Sequence, residues 1–142
     1  MDNENFRKYI EEYIRNLDYE TEELEILGAS LNALGYLILC NGARIDIYDI
    51  ITNNEVDTTS AEVTVSGQFI IVIGYIILLS VSIRRLYARE LRNEYLSEKN
   101  FIPAYSKLEA AYTLSVLANL LRLESFNEIL LNRENNIKNN QE

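Results

Sequence analysis

The sequence predicts an all-α protein: a four-helix, antiparallel, bundle-like arrangement built on two long apolar helices that repeat one another. Three observations predict it. One proline and five glycines in 142 residues leave few chain breaks, which favours long helices over many short strands. Gly28, Gly35 and Gly42 recur every seven residues, a helical period. The stretch GYLIL at 35–39 returns almost unchanged as GYIIL at 74–78.

The first helix is expected over 4–18, where Phe6, Ile10, Tyr13 and Leu17 form one apolar stripe and the charges fall elsewhere. The acidic segment 18–25 is expected to turn the chain, with Thr21 capping a second helix over 22–51. The polar stretch TNNEVDTTS at 52–60 reads as a loop, and Thr59 followed by Glu62 has capping-box spacing. A third helix is expected over 60–97. Asn100 and Pro103 mark the next break, and Pro103 suits the first turn of a fourth helix over 103–132, before a frayed tail. The length suits a single helical domain, 1–142.

Pairing residue n with n+39 relates units 23–49 and 62–88. Gly28 and Gly35 match Gly67 and Gly74; Tyr36 and Tyr48 match Tyr75 and Tyr87. Glycine weakens a helix interior by about 0.5–1 kcal/mol relative to alanine. A row of them is therefore expected to mark close approach of another helix backbone. Gly28, Gly35, Gly42, Gly67 and Gly74 are the candidate close-approach positions. Leu31, Leu34, Ile38, Ile70, Ile73 and Ile77 are the candidate packing knobs around them. A fainter third copy, offset by 83, puts Ala111 and Ala118 at the glycine positions. The pattern E-L-x-x-x-G-x-x-L-x-A-x-G, Glu23 to Gly35, resembles small repetitive helical proteins of spore-forming Firmicutes, a family without assigned function. The resemblance implies association with the spore and carries over no functional residue.

Residues 63–83 hold no charge, and 13 of these 21 are Val, Ile, Leu or Phe, which is long enough for a bilayer span of roughly 20 residues. Arg84, Arg85, Arg89 and Arg92 follow this run. As a membrane hairpin the chain would place both termini in the cytoplasm, with those arginines at lipid headgroups or an acidic partner. As a soluble protein it would bury the same helix at the centre of an assembly. The favoured expectation is a structural protein, cytoplasmic or spore-associated, self-assembling into a homo-oligomer or filament through its glycine-bearing helices. The membrane hairpin is the second reading.

Catalysis is not expected. The chain has no histidine, the commonest general base and metal ligand. It has neither phosphate-loop glycine motif. The glutamates of 11–25 read as a solvated face, not a metal site, and no cofactor is implied. Lone Cys40 reads as a small core residue. A net charge of −9 without a basic patch excludes nucleic acid as the natural partner.

Overall fold

The computed structural model describes residues 3–52, 58–98 and 102–139. They form α1 (Asn3–Thr52), α2 (Thr59–Tyr95) and α3 (Ile102–Asn139), with no strand among the described residues. Among the described residues there are three helices, not four. The expected first and second helices are one continuous rod of 50 residues, about 75 Å long at 1.5 Å per residue.

The expected turn at 18–25 is absent for a chemical reason. This segment, DYETEELE, contains no glycine or proline, and glutamate is a good helix former. Thr21 does not cap. Its hydroxyl donates back to the Leu17 carbonyl at 2.6 Å, and the residue is 2% exposed in the row facing α2. Other boundaries also move. The N-cap of α2 is Thr58, not Thr59, and its hydroxyl donates to the Glu62 carboxylate at 2.6 Å instead of to a backbone amide. The β-branched VTV at 63–65 is helical. Pro103 sits in the first turn of α3, and α3 continues to Asn139, past the expected end at 132. Ser97, at φ 57°, breaks the chain away after α2.

α1 and α2 pack antiparallel along one heptad row. Ile14, Thr21, Gly28, Gly35 and Gly42 are all buried on α1. In the matching register of α2 lie Ala88, Val81, Gly74, Gly67 and Ser60, also buried. The facing residue numbers add to 102. The contact is backbone on backbone. A Cβ at Gly35 would sit 2.8 Å from the Gly67 carbonyl oxygen, and one at Gly67 would sit 2.9 Å from that of Gly35. Gly28 and Gly74 repeat this reciprocity at 3.1 and 2.9 Å. Because the paired segments are copies offset by 39, the hairpin has an internal two-fold axis normal to the plane of its helices.

α3 packs on α2, and α1 and α3 share no backbone neighbours among the described residues. α2 is therefore the shared element, with eleven buried residues against one, Asn119, on α3. The core is thin. Among the described residues Ile14, Ile71, Val72, Leu78, Val81 and Leu96 are its large buried aliphatics, while 25 large apolar or aromatic side chains remain exposed. That imbalance leaves much apolar surface for something outside the chain to cover.

Seam substitutions should sort by what they strike. Gly35→Ala pushes its methyl into the Gly67 carbonyl, and overpacking costs of about 1–3 kcal/mol outweigh the gain in helix propensity. Gly42→Ala first meets the Thr64 hydroxyl, a side chain that can rotate away. Urea denaturation should show a loss of about 1–2 kcal/mol for Gly35→Ala and near-neutrality for Gly42→Ala. Equal effects would mean that backbone contact does not limit the approach.

Candidate functional site

Among the described residues no cluster of three or more His, Cys, Asp or Glu is placed to hold a metal ion. The features that organise the surface are instead polar junctions between helices and the apolar faces beside them.

The four arginines of 84–92 are engaged inside the chain. Arg84 donates to Glu20 at 3.3 Å. Arg85 donates to both Glu25 and Glu22. Arg92 donates to Asp18, and Arg89 lies over the Tyr105 ring at 5.3 Å. The acidic segment and the basic segment are therefore one ladder across the α1–α2 seam. Hydrogen bonding to Glu25, opposed by partial burial, raises Arg85 above its usual range. The contribution of the raised Arg85 group is thus fully present at neutral pH and is lost as pH rises through that raised value.

Two polar contacts position α3. Gln68, wholly buried, donates through Nε2 to the side-chain oxygen and the backbone carbonyl of Asn119, each at 3.0 Å. At the far end Ser60 Oγ donates to Asp46 at 2.6 Å, and Arg133 donates to the same carboxylate and hydroxyl. This junction joins all three helices. Sequence reasoning missed both contacts. The available signal was Gln68 itself, the one amide in the uncharged run 63–83.

Tyr36 and Tyr75, equivalent positions of the repeat, lie near enough for the Tyr36 hydroxyl to act on the Tyr75 phenol. Side chains on a helix lean toward its N-terminus, so repeat-related residues on antiparallel helices lean toward the axis between them. The hydrogen bond with Tyr36, then burial, raises the Tyr75 phenol above its usual value near 10.

The candidate interface residues divide. Gly28, Gly35, Gly42, Gly67 and Gly74 lie buried in the seam of a single chain. Leu31, Ile38, Ile70 and Ile77 flank it half-buried, while Leu34 and Ile73 are exposed. Ile38 fills the seam against Gly67 as a knob, whereas the other knobs, Ile71 against Gly35 and Leu78 against Gly28, lie one position beyond Ile70 and Ile77. Ala111 and Ala118 are exposed, and α3 meets α2 through Asn119 instead. Cys40, expected in a core, is exposed on α1. Comparison with known family models, curated proteins and solved structures gives no match.

Gln68→Leu leaves the buried Asn119 amide without its donor and should cost about 1–3 kcal/mol by urea denaturation. Gln68→Leu with Asn119→Leu should recover most of that. In alkaline ultraviolet titration Tyr19, Tyr75 and Tyr87 should ionise late, and Tyr36→Phe should move Tyr75 alone back toward pH 10. Since the folded state holds that proton more tightly, the Tyr75 contribution to stability should be constant below pH 10 and be lost as pH rises through the Tyr75 value.

Proposed function

We propose that this chain is a structural protein that self-assembles into a homo-oligomer or filament, without catalytic activity. The observation that carries the reading is the exposed apolar surface at mid-height on the outward sides of all three helices, including Leu37, Ile76 and Leu117. The glycine rows hold α1 to α2 within one chain. The outward flanks of the same helices are what remains for contacts between copies.

α1 and α2 are each long and apolar enough to cross a membrane. Two features weigh toward assembly. The helices align so that the charge-free stretches 26–43 of α1, 63–83 of α2 and 110–121 of α3 overlap only across residues 66–76 of α2. That common band is about 16 Å tall at 1.5 Å per residue, against about 30 Å of hydrocarbon. Glu25 and Glu109 border one edge, and Arg122 the other. In addition, α1 and α3 run in the same direction, so Asn3 and Asn139 lie at opposite ends of the rods, whereas the hairpin reading needs the start of α1 and the chain beyond α2 on one side.

Light scattering and negative-stain microscopy of the full chain, purified without detergent, test the proposal. Regular particles or fibres far heavier than 16.4 kDa are the expected result. Retention in the membrane fraction until detergent is added would overturn it in favour of the two-helix span. A monodisperse monomer would overturn both readings.

A further inference from the structure

The outward faces of α1 and α3 match each other in register, size and charge. Gly28 faces Gly74 and Gln68 bonds Asn119, so residue n of α1 lies level with residue n+85 of α3. On the exposed side of α1, Glu23 and Arg44 stand 21 residues apart. On the exposed side of α3, Lys107 and Glu128 stand 21 residues apart with the opposite signs. Among the described residues none of these four has an ion-pair partner within the chain.

We propose that α3 of one copy docks parallel to α1 of a second copy, with Lys107 against the second copy's Glu23 and Glu128 against its Arg44. This rests on the self-assembly reading and names its contact. At this offset of 84 the residues between the charges set large against small in three pairs and leucine against leucine in a fourth, and a fifth places Cys40 beside Glu124. Ile26 meets Ala110, Ser30 meets Leu114, and Ala33 meets Leu117. Leu37 meets Leu121, and these are 68% and 65% exposed in the single chain. The offset departs by one residue, about 1.5 Å, from the level set inside the chain, so neighbouring copies stand at nearly equal height. The contact is head-to-tail, so every copy offers one free α1 face and one free α3 face. Such contacts build rings where the rotation closes and filaments where it does not.

Charge reversal tests this on the full-length chain. One variant carries Lys107→Glu and Glu128→Arg; the other carries Glu23→Lys and Arg44→Glu. Each alone should weaken association at least tenfold by light scattering while keeping its helical circular dichroism. Mixed one to one, the reversed faces match and assembly should return. The proposal is overturned if either variant assembles as the native chain does, or if the mixture stays dispersed. It is also overturned if Lys107→Glu with Glu124→Lys restores assembly, because those residues would pair across an antiparallel contact between two α3 helices. If the native chain assembles while the variants are unaffected, this contact fails and self-assembly stands. If the native chain is a monomer, both fail.

Discussion

The fold depends on how closely two helix backbones can approach. At Gly35 and Gly67 each helix presents a carbonyl oxygen where the other would carry a Cβ. A helix pair this close gains dispersion contacts along its main chains and contacts of the Cα–H to carbonyl kind. It forgoes the broad interdigitation of leucines that fills an ordinary bundle. The unusual distribution of apolar residues follows. With glycine, serine and threonine in the seam, large aliphatics are displaced to the flanks, where Ile26, Leu37 and Ile76 stand exposed.

The seam was readable because it rests on periodicity and residue size, both properties of the string itself. Seven-residue spacing fixes a row on one helix face, and glycine in a helix interior needs a packing reason. The repeat added more than similarity. Two copies of one design in an antiparallel hairpin must pair across a two-fold axis, and that brings Tyr36 toward Tyr75 and crosses the glycines, Gly28 onto Gly74 and Gly35 onto Gly67.

Other features were less visible, for physical reasons. The acidic stretch at 18–25 resembled a turn because its charges seemed to call for water. In the fold they are met by Arg84, Arg85 and Arg92, 60 to 74 residues away in sequence. A pairing at that separation leaves no local mark. The third repeat copy misled in the opposite direction. Ala111 and Ala118 have the right spacing, but α3 is oriented by the Gln68–Asn119 contact, and this turns the alanine row outward. One amide pair chose the face of a helix whose apolar residues lie on several sides.

A row of small residues every seven positions is a ruler with identical marks. Slide α2 along α1 by one heptad, and Gly35 comes level with Gly74 while Gly42 comes level with Gly67, a seam of nearly the same shape. Shape alone therefore distinguishes the native hairpin poorly from a mis-zipped one. What separates them are the polar contacts toward the two ends of the seam: the ladder of Arg84, Arg85 and Arg92 on the acids of 18–25, and the lock where Asp46, Ser60 and Arg133 join three helices. Buried polar contacts often add little net stability, yet they can fix alignment. Here those contacts act as the detent on an otherwise sliding joint.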